Sequence, residues 1–271
     1  MPNKHNIPNI IHFIHLKGRP FNLINYLAVR SAFDVNTPEK IYMHCDVEPE
    51  GEYWQKAKEY FEIRFIDPPI NIFGLNIKHP AHQSDIARIL ILQKEGGIYL
   101  DTDTLSNRKL IDLTTNLLGL EQVIMGEEYL EGKKIGLCNA VVIAEAGAQF
   151  LERWLDGFDP SKSLWKGFRS ESTLGTIDRY YSEISIKYSH FLSNYYPEEI
   201  KVVDKNHFFY PSHAEDELKN FFLGNGGGYE ECYVFHTWAS IGWENYLKNI
   251  SEEDIKTKDT NFNVLARKFL D

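Results

Sequence analysis

Between His82 and Thr104 the chain reads HQSDIARILILQKEGGIYLDTDT, and few folds accommodate such a stretch. A helical run halts at Gly96-Gly97, an apolar strand Ile98-Tyr99-Leu100 follows, and Asp101 and Asp103 stand where that strand runs out. Glycine is a common stop just past a helix, so the reading is a helix that turns sharply and delivers a carboxylate pair to a sheet edge. Side chains alternate between the faces of a strand. Tyr99, Asp101 and Asp103 are therefore expected on one side and Ile98, Leu100 and Thr102 on the other. Two carboxylates on one side repel unless positive charge sits beside them. Hard divalent cations take oxygen ligands, commonly one or two carboxylates together with substrate phosphates, so the pair suits a metal-bound diphosphate.

The preceding helix carries a second signal. Asp85 and Arg88, three residues apart, share a helical face. A solvated ion pair of roughly a few tenths of a kcal/mol fits them, and so does a pair aimed at a ligand. Ser84 or His82 is placed to cap the helix start, and Gly96 to end it.

Ser84-Asp85-x-x-Arg88, followed by Gly96-Gly97-Ile98-Tyr99-Leu100-Asp101-Thr102-Asp103, resembles the block shared by glycosyltransferases with a DXD sugar-binding region. That group includes fungal outer-chain mannosyltransferases, many bacterial capsule and lipopolysaccharide enzymes and, more distantly, the large glucosylating toxins. A lone Asp-x-Asp says little, whereas the ordered helix, double glycine, strand and aspartates are specific. The resemblance implies an α/β glycosyltransferase A-type fold, with a Rossmann-like, mostly parallel central sheet flanked by helices and a more irregular C-terminal part. It implies one catalytic domain over residues 1–271, with 1–105 as the nucleotide-sugar-binding half and 106–271 as the acceptor-side half and closing segment. It further implies transfer of a hexose-type sugar, with retention, from a nucleotide-sugar donor to a saccharide or glycoconjugate acceptor in polysaccharide biosynthesis. A UDP-sugar is favoured over a GDP-sugar as donor, and the cofactor expected is Mn²⁺ or Mg²⁺.

Site residues carry over at matching positions. Asp103 is expected on the cation, with Asp101 near the ribose or the metal, and these two as the catalytic pair. Ser84, Asp85, Arg88 and Tyr99 are expected around the donor. The opening Ile7-Pro8-Asn9-Ile10-Ile11-His12 is similar to a family segment whose end lines the nucleotide pocket, which makes His12 a donor contact. Asn139 and Ala140 resemble the segment that faces the donor sugar. The closing Tyr233-Val-Phe-His236-Thr-Trp238-Ala-Ser240-Ile-Gly-Trp243 resembles a family ending in which the histidine helps hold the cation and Ser and Trp approach the phosphates. Imidazole suits manganese among other transition ions, and an indole N–H is a donor able to meet a phosphate. The residues by themselves also fit plainer roles: His12 and His236 satisfied at strand ends, Asn139 as a turn amide, Trp238 and Trp243 as core aromatics.

Composition bounds the class. Of 271 residues 43% are hydrophobic and 14% aromatic, which indicates a packed globular chain. Charge is 29 basic against 39 acidic residues, net −10, with no Lys/Arg cluster, so a nucleic-acid partner is not expected. A nucleoside diphosphate still binds an acidic protein when a cation bridges them. GxGxxG and GxxxxGK[ST] are both absent, which leaves metal bridging as the expected phosphate mode. Cys45, Cys138 and Cys232 lack pair spacing, pointing to reduced thiols and a cytoplasmic setting. No apolar run reaches membrane-span length, and the first twenty residues are too polar for a secretory signal.

In chain order the pattern predicts a strand from Ile7 to Leu16, a helix from Asn22 to Phe33, a strand from Lys40 to Cys45, a helix from Glu52 to Tyr60 and a strand from Glu62 to Ile66. Such alternation implies a parallel sheet wound by crossovers, with ligands beyond the carboxyl ends of its strands. Gln122–Gly126 and Leu137–Ala144 read as buried strands, Gln149–Trp154 as a helix start, Gly224–Gly228 as a loop or lid hinge, and the tail from Ser251 as ending in an amphipathic helix. At Ser172–Asp178, Gly175 is followed by Thr176 where relatives carry Gly-Pro.

Two other functions compete. Asp101-Thr102-Asp103-Thr104 fits the DxDxT of haloacid-dehalogenase-type phosphatases, with Asp101 as nucleophile. That motif belongs on a first strand and needs a downstream acidic pair after another strand, whereas Glu215-Asp216-Glu217 follows a Pro-Ser-His-Ala loop. A catalytically silent sugar-nucleotide-binding module uses similar residues.

Overall fold

A computed structural model describes residues 6–159, 161–164 and 183–270. The chain alternates as predicted through its first half: β1 (Ile10–His15), α1 (Leu23–Asn36), β2 (Lys40–Cys45), α2 (Glu52–Ala57) and β3 (Glu62–Phe65). A short hairpin of β4 (Asn71–Ile72) and β5 (Leu75–Asn76) leads to α3 (Pro80–Glu95), β6 (Gly97–Leu100) and β7 (Thr104–Ser106). The second half contributes β8 (Val123–Leu130), β9 (Lys133–Ala144), α4 (Gln149–Asp156), α5 (Ser189–Tyr195), β10 (Ile200–Val203), α6 (Lys205–Phe208), α7 (Glu215–Leu223) and β11 (Val234–His236). It closes with α8 (Ala239–Gly242), α9 (Glu252–Thr257) and α10 (Asn261–Ala266). The Ser172–Asp178 stretch lies outside the described residues.

Seven strands form one sheet in the order β10-β8-β9-β6-β1-β2-β3. β3, β2, β1 and β6 run parallel, β9 is reversed between β6 and β8, and β10 pairs parallel with β8. This is the mostly parallel α/β sheet that the alternation implies. The pleat sorts the core as a period of two requires. Ile98, Leu100, Ile124, Val141 and Ile143 join α1 and α2 on one face. Tyr99, Val123, Met125, Val142 and Ala144 join α3 and α4 on the other.

Three local features position the site. The first is the double glycine. Gly96 caps α3 with φ +67° and Gly97 opens β6 with φ +104°. A Cβ on Gly97 would lie 2.6 Å from the Ile10 carbonyl oxygen, and one on Gly96 would lie 2.7 Å from the Ala146 amide. Only glycine fits where the helix end presses against β1 and the β9 end.

The second is a register shift. Met125 pairs with Val142 but the next residue, Gly126, pairs with Cys138, so Asn139, Ala140 and Val141 have no counterparts on β8. Irregularities of this kind redirect side chains beside active sites, and here they bring Asn139 and Ala140 toward the end of β6. The third is the pairing of β7 with β11, which sets His236 opposite Thr104 and hence beside Asp103.

Several boundaries differ from the pattern. α3 starts at Pro80 with His79 as its cap, the imidazole accepting from the Ala81 amide, so Ser84 and His82 lie inside the helix and cap nothing. Proline at the first helical position has no amide to leave unsatisfied, a cue the reading from Ser84 overlooked. Asn22 is a cap instead of a helical residue, holding the Ile24 and Asn25 amides. The 224–228 segment is a loop, tied to α10 by Gly227 N–H on Asn261 Oδ1 (2.8 Å). Among the described residues no helix is long and apolar enough to cross a membrane. The three cysteines are buried and unpaired.

Candidate active site

β6 ends at Leu100, and the backbone then turns instead of continuing extended. The Thr104 amide and hydroxyl both donate to the Asp101 carbonyl, at 3.1 and 2.7 Å. The turn is fixed from both flanks: the Asp101 amide donates to the Ala140 carbonyl (2.9 Å) and Asn25 Nδ2 donates to the Thr102 carbonyl (2.8 Å). Strand alternation therefore places Tyr99, Ile98 and Leu100 as expected but does not govern the aspartates. Asp101 and Asp103 nonetheless open on one cleft of about 640 Å³, which Thr102 lines as well. Ligand sites commonly fall in this size range.

Asp103 meets His236, whose Nε2 lies 3.2 Å from Oδ1, while the Ala239 amide donates to Oδ2 (2.8 Å). That amide is aimed by Trp238, whose φ of +51° is left-handed, a conformation costing about 1–2 kcal/mol for a residue with a side chain. Burial by itself would raise the Asp103 carboxyl, but His236 and the Ala239 amide hold it below the usual carboxylate range. Burial opposes charge on His236 too, and the Asp103 carboxylate overrides it and raises the imidazole. One ligand atom each from Asp101, Asp103 and His236 lie within 4.8 Å of one another. Two hard carboxylates and an imidazole are a donor set that fits a divalent cation such as Mn²⁺ or Mg²⁺.

Behind Asp101 stands Arg88, 4% exposed. Its Nη2 is 3.2 Å from Asp101 Oδ1 and 3.1 Å from Asp85 Oδ1, Nη1 donates to the Asn139 carbonyl (2.6 Å), and Nε donates to the Ser84 carbonyl (3.3 Å). Nη2 also donates to Ser84 Oγ (3.2 Å), and the guanidinium lies 4.2 Å over the Tyr99 ring. Tyr99 Oη donates to Asp101 Oδ1 (2.5 Å). Arg88 and Tyr99 line the cleft, but their polar atoms are engaged within the protein, the Tyr99 hydroxyl and Arg88 Nη2 on Asp101 and the other guanidinium nitrogens on the Ser84 and Asn139 carbonyls.

Asp85 is 1% exposed and does not line the cleft, which corrects the expected direct donor contact. It accepts from Asn139 Nδ2 (2.8 Å) and from Ser185 Oγ (2.8 Å), bracing Arg88 and Asn139 from behind. Burial pushes its carboxyl up to about 6, against the pull of Arg88. The surface ion pair considered for Asp85 and Arg88 is likewise excluded by their burial.

Other expected donor residues separate. Asn139 and Ser84 line the cleft, as does the exposed Ser240. His12 does not: it is fully buried under the double glycine, with Nδ1 3.1 Å from His44 Nε2 and Nε2 3.1 Å from the Gly96 carbonyl. The strand's last histidine, His15, reaches the cleft in its place. Trp238 lines the cleft, but its indole N–H is committed to the Pro211 carbonyl (2.9 Å), and Trp243 packs against the core away from the cleft lining.

Lining residues that sequence reasoning missed include Arg19, Asn25, Glu128 and His213, and behind them Ser185. Arg19 is exposed, and Arg19 and Arg88 are the Lys/Arg side chains of the lining among the described residues. A Gly-Arg-Pro turn after the first strand was the available signal for it.

Comparison with known proteins agrees with this geometry. The family model described as "Glycosyltransferase sugar-binding region containing DXD motif" matches residues 34–128. A protein of Cryptococcus neoformans var. grubii, "Glucan organizing enzyme 1", is 27% identical over 277 residues, covering 97% of this chain and 71% of its own. Among solved structures, the apo WbbM bifunctional glycosyltransferase superposes with a TM-score of 0.55 at 9% identity, over 97% of this chain and 49% of that one. Apo GlyE of Streptococcus pneumoniae TIGR4, a glycosyltransferase, gives 0.51 at 11% identity, over 97% and 61%. At those identities the structures speak for the fold, and the motif match speaks for the family, so the phosphatase alternative built on Asp101 falls away. Through residues 34–128 the chain is similar to the glycosyltransferases that carry the DXD-containing sugar-binding region.

Proposed function

We propose that the chain is a metal-dependent retaining glycosyltransferase that moves a hexose-type sugar from a nucleotide-sugar donor, UDP-linked in preference to GDP-linked, to a saccharide or glycoconjugate acceptor. The observation that carries the reading is the meeting of Asp101, Asp103 and His236 ligand atoms within 4.8 Å on the cleft of a chain with this motif. These three residues would hold Mn²⁺ or Mg²⁺, which supplies Lewis-acid stabilisation of the departing diphosphate. The name of the fungal relative supports a polysaccharide acceptor. Retention follows from the resemblance to the DXD group, and the unpaired thiols support a reducing, cytoplasmic setting.

The protein's own groups then divide the work. Arg88 and Tyr99 fix the Asp101 carboxylate so that no reorganisation is needed when charge develops. Arg19 brings an exposed positive charge to the nucleotide side of the cleft, and Ser240 offers a hydroxyl to the phosphates. Asn139, held by Asp85 and Arg88, faces the donor sugar.

The test is a panel of UDP- and GDP-sugars with Mn²⁺. One donor should raise the melting temperature and be slowly hydrolysed, and Asp103→Asn should abolish both. Metal-dependent donor binding that survives in this variant overturns the site, and a thermal shift without hydrolysis or transfer identifies a silent binding module.

A further inference from the structure

Beyond His236 the cleft carries a second polar cluster that the metal group leaves unused. Glu128 sits on β8 two residues past the register shift and is 4% exposed, yet it lines the cleft. Its Oε2 has no hydrogen-bond partner. His213, on the loop ahead of α7, sets Nδ1 3.8 Å from Glu128 Oε1, too long for a hydrogen bond. That nitrogen too is buried without a partner. The His213 ring lies 4.8 Å from Trp238, whose ring lies 4.1 Å from that of His236. Ile135 and Ile186 border the same cleft.

Leaving a buried donor or acceptor unpaired forfeits the hydrogen bonds it had in water, and native structures seldom carry such groups without a reason. The Cys138 thiol reaches Glu128, but Oε2 stays open. A ligand that satisfies this pair must donate to a carboxylate, bond to an imidazole and lay apolar surface along isoleucine. A hydroxyl donates and accepts at one atom, and a sugar ring presents hydroxyls at its rim and C–H groups on its faces. A phosphate is disfavoured because the carboxylate repels it. The cluster also comes from β8 and the loop before α7, whereas His15, Arg19 and Asn25 on the nucleotide side precede the DXD turn.

Resting on the glycosyltransferase reading above, we infer that Glu128 and His213 form the hydroxyl-binding subsite for the saccharide acceptor. The carboxylate takes a hydrogen bond from one sugar hydroxyl, His213 bonds a second, and Ile135 and Ile186 meet the ring.

Saturation-transfer NMR with methyl α-mannoside, methyl β-glucoside and lactose, in the presence of Mg²⁺ and UDP or GDP, tests this on the full chain. Wild type should show transfer to at least one saccharide. Glu128→Gln, nearly isosteric, and separately His213→Gln, should weaken that saccharide at least tenfold while nucleotide affinity stays within about twofold. Saccharide binding unchanged in both variants overturns the subsite, as does an equal loss of nucleotide affinity, which would assign Glu128 to the donor side. A glycosyl adduct on Glu128 by mass spectrometry would overturn it in favour of a nucleophile. If wild type binds neither nucleotide, the proposed function fails, and the saccharide signal still decides the subsite.

Discussion

The Arg88 guanidinium lies 3.2 Å from Asp101 and is itself braced by Asp85 at 3.1 Å. The Asp85-x-x-Arg88 pair thus acts through Asp101: a buried acid holds a buried base, which aims the first carboxylate of the DXD turn. Planar Arg reaches Asp101, Asp85, Ser84 and Asn139 at once, and a lysine ammonium does not reproduce that fork. Arg88→Lys should keep the fold and lower kcat/KM for donor turnover by about 100-fold. Arg88→Ala should cost about 3–5 kcal/mol of stability, because two carboxylates lose a buried partner. Steady-state kinetics and urea unfolding measure the two, and a Lys variant of wild-type turnover would sink the positioning role.

His236 supplies the imidazole of the candidate metal group, and its Nδ1 is buried without a partner. Glutamine at this position retains polarity but not the imidazole donor. His236→Gln should weaken Mn²⁺ binding at least tenfold, the scale on which even groups one layer outside a metal act. Isothermal titration with Mn²⁺ and UDP decides the matter, and unchanged affinity would reduce His236 to a partner of Asp103.

At Gly97 the backbone has φ +104°, and an added Cβ would stand 2.6 Å from the Ile10 carbonyl. Gly97→Ala should destabilise the chain by about 2 kcal/mol or more, combining backbone strain with a clash that rigid β1 cannot relieve. The same change at Gly132, with φ +74° and nothing within 4 Å, should cost less. Equal midpoints in urea for the two variants would contradict the packing argument.

The sheet and the clustering of Asp101, Asp103 and His236 were legible because each rests on local pattern. The double glycine, the Asp-x-Asp and the His-x-Trp ending all lie within short windows, and strand alternation sorted Tyr99 from Ile98 and Leu100 correctly. Glu128 was not legible. In Gly-Glu-Glu-Tyr it reads as a solvated strand end, and only the register shift between β8 and β9 and the approach of His213 from 85 residues away reveal it. His12 misled for the reverse reason. Its segment matched the family, but the pleat turned it onto His44 while His15 took the cleft. Asp85 failed as a direct contact because Ser185 and Asn139 already occupy its oxygens.

The His12–His44 contact, 3.1 Å between ring nitrogens, makes stability depend on pH in a predictable direction. Burial holds His12 down to about 4, and burial together with the neighbouring His12 and Arg64 holds His44 down to about 3. Both rings are therefore neutral in the folded chain across the range where the unfolded chain, with a usual value near 6.5, takes up protons. Unfolding then binds protons, so stability is full above pH 6.5 and falls as pH drops toward 4. The slope approaches about 1.4 kcal/mol per unit for each ring, or roughly 3 kcal/mol per unit for the pair. His44→Gln keeps a polar partner for His12 and removes one titrating ring, so its slope between pH 6.5 and 5 should be shallower by up to about 1.4 kcal/mol per unit. Guanidinium unfolding at half-unit pH steps supplies the comparison, and parallel curves for the two proteins would show that acid sensitivity arises elsewhere.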